Sequence, residues 1–131
     1  MKELSHFKGL QRSDVVEIRK SLSKLGLAVV EIDRELKYVW VDNPHPDFAV
    51  EAFVGKRDDE LFPEGTAAEL MAIKRDVFKR KVAVSEIFSF ALSDGWRHYT
   101  LFLYPILSSD ATVEAILGFA PDTFGFSIKI S

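Results

Sequence analysis

Residues 38–63, YVWVDNPHPDFAVEAFVGKRDDELFP, decide the fold. The stretch opens with aromatic and β-branched residues, which are typical of a strand. The Asn-Pro-His-Pro run at 43–46 then stops strand pairing, because proline lacks the backbone donor that a strand ladder needs. Residues 47–62 follow no clean hydrophobic period, and we expect short helical turns at 47–53 and 58–61. The stretch therefore predicts a strand that leads into an irregular helical segment.

The segment before this stretch predicts a helix and a hairpin. Asp14 is a good N-cap and Gly26 stands where a C-terminal cap is expected, so we predict a helix over 14–25. Residues 27–33 and 36–41 are short apolar strands, and their close spacing predicts an antiparallel pair.

The segment after it predicts one longer helix and three strands. The sequence TAAE at 66–69 is a capping box, which predicts a helix that runs to about Arg80. Three β-rich segments follow at 84–92, 96–107 and 112–120. Because the helices are grouped between the second and third strands, the order predicts an α+β domain with a five-stranded antiparallel sheet.

The composition excludes several classes of function. The length of 131 residues corresponds to one domain. The net charge of −3 gives no indication of the concentrated basic face that binding to nucleic acid requires. The sequence contains no apolar run near the roughly 20 residues of a membrane span, and no signal-peptide core. The absence of cysteine removes disulfides, thiolate catalysis and cysteine-zinc sites. We expect a cytoplasmic domain without contact to nucleic acid or membrane.

Catalytic and metal motifs are missing from the sequence. It holds no G-x-S-x-G elbow, phosphate loop or H-E-x-x-H motif. His6, His45 and His98 do not have the spacing of metal ligands. The acidic run at 58–60 is interpreted as a solvated helix start rather than a metal site. The basic side chains near the C-terminal end of the long helix are interpreted as favourable partners for the negative end of the helix dipole. The alternative interpretation is that they form an anion-binding site. An enzyme would need a convergent acid–base pair, which the sequence does not show, so we expect a non-catalytic domain.

Several segments together resemble a PAS sensor domain over residues 22–123. The stretch LAVVEIDRELKYVWVDNPHP resembles the first hairpin of the family, and VGKRDDELFP resembles its G-x-x-x-x-[DE]-[LI]-[FL]-P segment. The runs GWRHY and YPI resemble its penultimate strand. The NPHPDF and GKRDDELFP pair is similar to PAS modules of bacterial sensor histidine kinases. The resemblance implies helices packed on one face of the sheet, an N-terminal flanking helix, and the divisions 1–13 (tail), 14–123 (domain) and 124–131 (tail).

The same resemblance implies a signalling module that binds a small ligand or a partner and passes the signal through its termini. Light-sensing flavin and photoactive-yellow-protein types need a cysteine, which this chain lacks. The haem type uses a histidine on the long helix, and residues 66–81 contain none. The ligand is unknown, and noncovalent FAD, a carboxylate metabolite and a fatty-acid-like molecule stay open.

The ligand cavity is expected between the sheet and the 66–81 helix. The 11 phenylalanines either fill a core or line such a cavity. Arg97 could clamp a carboxylate or pair with a neighbouring acid, and His98 could contact a ligand or stand half-exposed. The predicted lining residues are Trp40, Phe62, Phe78, Phe88, Arg97, His98, Phe102 and Tyr104.

Two segments are candidates for a homodimer contact. Apolar residues of the 14–25 helix form one stripe, which either packs on the domain's own sheet or forms a short dimer seam. The tail FGFSIKIS at 124–131 alternates like a strand and could extend the last strand or pair with another molecule. A ligandless dimerisation module is therefore the alternative to a ligand sensor.

Overall fold

A computed structural model describes residues 2–4 and 9–121 of the chain. The tail at 124–131 and His6 lie outside the described residues. The helices are α1 (Val15–Lys24), α2 (Val50–Phe53), α3 (Asp58–Leu61) and α4 (Glu64–Arg80). The strands are β1 (Lys2–Glu3), β2 (Leu10–Gln11), β3 (Ala28–Ile32), β4 (Tyr38–Asp42), β5 (Val84–Leu92), β6 (Gly95–Leu107) and β7 (Val113–Ala120).

The five long strands form one antiparallel sheet in the order β4-β3-β7-β6-β5. This confirms the predicted α+β class and the five-stranded sheet. Two two-residue strands extend it: β1 pairs with the start of β5, and β2 runs parallel to the end of β6. Both short strands come from the 1–13 segment that the sequence marks only as a tail.

The sheet is covered on both faces. Helices α2, α3 and α4 lie on what we call the inner face, where Ile32, Val77, Leu103 and Ile116 form the main core. Helix α1 lies on the opposite, outer face over a second cluster that includes Val29, Ile106 and Leu117. Both faces of the central strands are therefore apolar.

Helix α1 packs its stripe on the domain's own sheet, which is one of the two predicted arrangements. Val15 is buried there, and Ile18 and Leu22 pack against the same cluster. Leu25 differs from them, because it follows the helix and is 73% exposed. Gly26 has φ +79, the left-handed conformation expected of a glycine cap.

The predicted capping box at 66–69 is wrong. Helix α4 begins two residues earlier, at Glu64, with Pro63 as its N-cap and no side-chain cap. The Pro63 carbonyl already accepts a hydrogen bond from the Ala67 amide at 2.9 Å. Thr66 therefore lies inside the first turn, where its hydroxyl no longer caps the helix.

Candidate functional site

A cavity of about 650 Å³ lies between the inner face of the sheet and helices α2–α4. Its wall is mostly apolar and unusually aromatic, and neighbouring rings meet edge to face at centroid distances of 5.2–5.8 Å. That volume falls in the range of small-molecule sites. The aromatic lining residues with rings on the inner face are Tyr38, Phe48, Phe53, Phe62, Phe88, Phe90 and Tyr99. Phe119 also borders the cavity, although its ring stacks on the outer face.

A buried polar triad stands in this apolar wall. Lys74 of α4 and Asp58 of α3 are 2% and 0% exposed, and Lys74 Nζ lies 2.6 Å from Asp58 Oδ2. The Tyr38 hydroxyl of β4 donates to Asp58 Oδ1 at 2.6 Å and accepts from Lys74 Nζ at 2.9 Å. The triad thus links the edge of the sheet to two helices through three hydrogen bonds.

Lys74 retains one donor for the cavity. Its ammonium has three N–H groups, and the triad uses two of them. Within residues 2–4 and 9–121, no acceptor is assigned to the third, while Lys74 and Tyr38 both line the cavity. Burial lowers the pKa of Lys74, opposed by the nearby Asp58, and burial raises the pKa of the Tyr38 phenol. The Lys74 ammonium and the Asp58 carboxylate together carry no net charge.

A short loop closes one end of the cavity. Residues 43–46 and Phe48 line it, and the loop is tied to the tip of the β5–β6 hairpin. Asp47 Oδ2 accepts from the Ser93 amide at 2.7 Å, and its Oδ1 accepts from the Ser93 hydroxyl. The Asp47 amide donates to His45 Nδ1 at 3.0 Å, so Nε2 carries the proton and donates to Asp94 at 3.1 Å. These hydrogen bonds hold the loop against the hairpin.

Two arginine clamps hold the N-terminal segment to the outer face. Arg12 donates two hydrogen bonds to Glu31 at 2.9 and 3.0 Å. Arg19 donates two to Asp42 at 2.7 and 2.8 Å, and these bonds lower the pKa of Asp42. Trp40 lies between the clamps, with its Nε1 donating to Glu31 at 3.1 Å and Arg19 stacked 3.8 Å above its ring.

The structure brings two of the eight predicted lining residues together at the cavity. Phe62 and Phe88 form part of its wall. Phe78 of α4 packs against the main core outside the cavity and lines a separate groove. Arg97 does not line the cavity and pairs with Asp94 at 3.0 Å.

The other four predicted lining residues lie on the outer face and not at the cavity. Trp40 belongs to the arginine clamps, and His98 shares a 2.7 Å hydrogen bond with Ser89. Phe102 and Tyr104 stack on Phe119 at 5.0 and 5.8 Å. The cavity side of β6 presents Tyr99, Leu101 and Leu103 instead, because the opposite set of alternate residues points inward.

The triad was missed by sequence reasoning, although one signal was present. The buried stripe of α4 includes Leu70, Lys74 and Val77, which are separated by four and three residues. Lys74 thus occupies an apolar position of the helix, and a lysine there requires a buried partner. Asp58 gave no comparable signal among its acidic neighbours.

The described residues offer neither a metal centre nor a membrane-spanning helix. Within residues 2–4 and 9–121, no group of three His, Asp or Glu side chains is placed to hold a metal ion. No described helix is long and apolar enough to cross a membrane. The aromatic cavity with its triad is therefore the candidate site.

Comparisons with solved structures agree with this architecture. VqmA bound to DPO is 18% identical, with a TM-score of 0.68 over 83% of this chain and 58% of that one. A sensory box sensor histidine kinase from Vibrio cholerae is 20% identical, with a TM-score of 0.62 over 85% of this chain and 93% of that one. The PAS domain of a Colwellia psychrerythraea protein is 14% identical, with a TM-score of 0.65 over 83% and 97%.

The chain spans about half the length of the VqmA chains it resembles, including 50% of that in a Vibrio VqmA–ligand–DNA complex. No curated protein sequence matches it significantly. The PAS fold family matches residues 22–124, which is most of the sequence and agrees with the predicted extent. The chain therefore belongs to the PAS fold family and is a PAS sensory domain.

Proposed function

We propose that this domain senses a small, flat, uncharged molecule bound in the aromatic cavity, and that the ligand accepts a hydrogen bond from Lys74. The observation that carries the proposal is the neutralised ammonium in the wall of an apolar cavity of about 650 Å³. Phe62 and Phe88 supply flat apolar contacts, and the third N–H of Lys74 supplies one directional contact. The likeness to VqmA bound to DPO supports a small ligand as a class. We propose no catalytic step.

The charge of the triad selects among the ligand classes left open by the sequence. Asp58 already neutralises Lys74, so a carboxylate ligand would bring an uncompensated negative charge into a desolvated site. An uncharged carbonyl oxygen or ring nitrogen accepts the same hydrogen bond without that cost. We therefore favour a neutral ligand over the carboxylate metabolite.

A matched pair of ligands tests this selection. Benzamide and benzoate are both flat and of similar size, but only benzoate is charged. We expect benzamide to bind at least tenfold more tightly by calorimetry. The substitution Lys74→Met should weaken benzamide by roughly 10- to 100-fold, which corresponds to a lost hydrogen bond from a charged donor. The exposed Lys79→Met is the control. Tighter binding of benzoate would contradict the proposal, and native mass spectrometry would show any ligand that copurifies.

The setting of the domain is a further part of this proposal. We infer that it serves a larger cytoplasmic signalling protein, such as a bacterial sensor histidine kinase, and acts as a homodimer through α1 or the 124–131 tail. The sensor histidine kinase from Vibrio cholerae supports this setting, because the likeness covers 93% of that chain. The gene sequence on either side of the segment that encodes this domain tests the proposed setting, because it shows which other domains the protein contains. A kinase core downstream supports the inference, whereas a DNA-binding domain would contradict it.

A second candidate function is a ligandless dimerisation module. Two exposed apolar residues at α1 favour it, since Val16 is 59% and Leu25 is 73% exposed. Leu25→Asp is the clean test, because Leu22 packs on the sheet and its replacement would disturb the fold. Under this candidate, sedimentation shows a wild-type dimer that Leu25→Asp dissociates, and no ligand binds. A monomer in both forms would reject the candidate.

A further inference from the structure

A second concavity, of about 670 Å³, lies outside the ligand cavity and shares no lining residue with it. We call it the basic groove. Leu36 and Phe78 contribute apolar surface, and Glu35 is its one acidic lining residue within the part of the chain that the structure describes. Its cations come from three separate segments: Arg34 and Lys37 from the β3–β4 turn, Arg57 before α3, and Arg75 and Lys79 from α4.

The charge of this groove is opposite to that of the whole chain. Five cations and one carboxylate give the groove a net charge of +4, whereas the chain carries −3. Arg75 and Lys79 stand four residues apart on one helix, a spacing at which like charges repel. Within the described ranges, no carboxylate is paired with either of them. Lys37 has Glu35 at 3.1 Å. The fold thus concentrates positive charge that its own acids only partly balance.

Arg57 carries the second observation. Its Nε atom is buried and has no hydrogen-bond partner among residues 2–4 and 9–121. The paired carboxylate oxygen, Asp59 Oδ1, is 3.7 Å away, which exceeds hydrogen-bonding distance. A buried donor without an acceptor is costly, so the fold leaves the Arg57 guanidinium incompletely paired, while the side chain as a whole is 36% exposed to the groove.

We propose that the basic groove binds the diphosphate group of a small molecule. A guanidinium presents a planar fork of donors that matches phosphate oxygens, and Arg57 and Arg75 supply two such forks. A diphosphate brings several negative charges to a site of net +4 and so offsets most of that charge, whereas a single carboxylate brings one. The sources of that group are inorganic pyrophosphate and a nucleoside diphosphate, whose ring would contact Phe78.

Calorimetry with pyrophosphate and with ADP, each in low and in 150 mM salt, tests the proposal. We expect saturable binding of at least one of them, weakened by salt because the site is exposed. Tighter binding of ADP assigns the group to a nucleotide, and tighter binding of pyrophosphate assigns it to the inorganic ion. Absence of binding by both at low salt would overturn the proposal.

Charge-matched variants locate the site. Arg57→Gln and Arg75→Gln should each weaken binding at least tenfold. Lys24→Gln removes the same charge from the exposed end of α1 and should leave binding unchanged. Equal losses in all three variants would show a general charge effect and reject the groove. Thermal melts monitored by circular dichroism confirm that each variant is folded. The ligand cavity is not involved, so failure of the sensing proposal leaves this test intact.

Discussion

Removal of Lys74 from the triad should destabilise the domain strongly. In Lys74→Met the Asp58 carboxylate stays fully buried and loses its cation, while the Tyr38 hydroxyl loses its donor. Breaking a buried pair by removing one partner costs about 3–5 kcal/mol. A domain of 131 residues has a free energy of unfolding of roughly 7–20 kcal/mol, so the variant should remain folded.

The same loss in the free energy of unfolding corresponds to a decrease in the melting temperature, Tm. At about 2.1 cal/mol/K per residue, the unfolding entropy is ~0.28 kcal/mol/K for 131 residues. A loss of about 3–5 kcal/mol therefore lowers the Tm by about 11–18 °C. Urea unfolding followed by circular dichroism gives the free energy directly. Lys79→Met, on the exposed side of the same helix, should stay within about 0.5 kcal/mol of the wild type.

A triple variant separates charge burial from packing. Tyr38→Phe, Asp58→Leu and Lys74→Met together replace the triad by apolar side chains and leave no buried charge. Such replacements are often neutral or stabilising, so the triple variant should recover most of the stability that Lys74→Met loses. A Lys74→Met loss below about 1 kcal/mol, or a triple variant worse than the single one, would refute the reasoning.

Three smaller predictions concern the loops and the sheet. The Ser108 hydroxyl bond lowers the pKa of Asp110 to about 2, so Asp110 stabilises the fold above about pH 4 and loses this effect as the pH falls towards 2. The urea midpoint of the wild type should therefore fall between pH 5 and pH 2 by more than the midpoint of Asp110→Asn does. An equal fall of the midpoint in both proteins would contradict this. Gly118→Ala would place a methyl group 3.0 and 3.1 Å from side chains on both flanking strands, and should cost about 1–3 kcal/mol in urea unfolding. Asp47→Ala removes the acceptor of the Ser93 amide, whose hydrogen exchange by NMR should accelerate; continued protection would show that another group holds the loop.

The element order was predictable because turn chemistry and periodicity mark it locally. Prolines stop the chain after β4, the glycine at 26 ends α1, and α3 occupies the predicted residues 58–61. The bounds of β3 and β4 shift by only one or two residues from those expected. These residues determine turns and helix ends through local interactions and not through contacts with residues distant in the sequence, so the element order can be predicted from a single sequence.

The direction of the strands' side chains was not predictable, for two physical reasons. The sheet is covered on both faces, so Phe102 is as apolar as Leu101 and hydrophobicity does not identify the inward side. In addition, β4 shifts register against β3 between Glu31 and Ile32. Tyr38 therefore lines the inner face while Trp40, two residues later, lies on the outer face, although regular alternation would place both on the same side.

That register shift makes Trp40 a reporter of events in the cavity. Tyr38 holds the triad on one side of β4, and Trp40 joins the arginine clamps on the other, so a displacement of the strand changes the surroundings of both. In a Trp96→Phe background, Trp40 is the remaining tryptophan. We expect Tyr38→Phe, which removes both hydroxyl bonds, to alter Trp40 emission and its quenching by iodide. The exposed Val39→Thr on the same strand should leave both unchanged. Identical Trp40 emission in the Trp96→Phe background and in its Tyr38→Phe and Val39→Thr derivatives would contradict this prediction. It would show that a change at Tyr38 on the inner face of β4 does not alter the surroundings of Trp40 on the outer face.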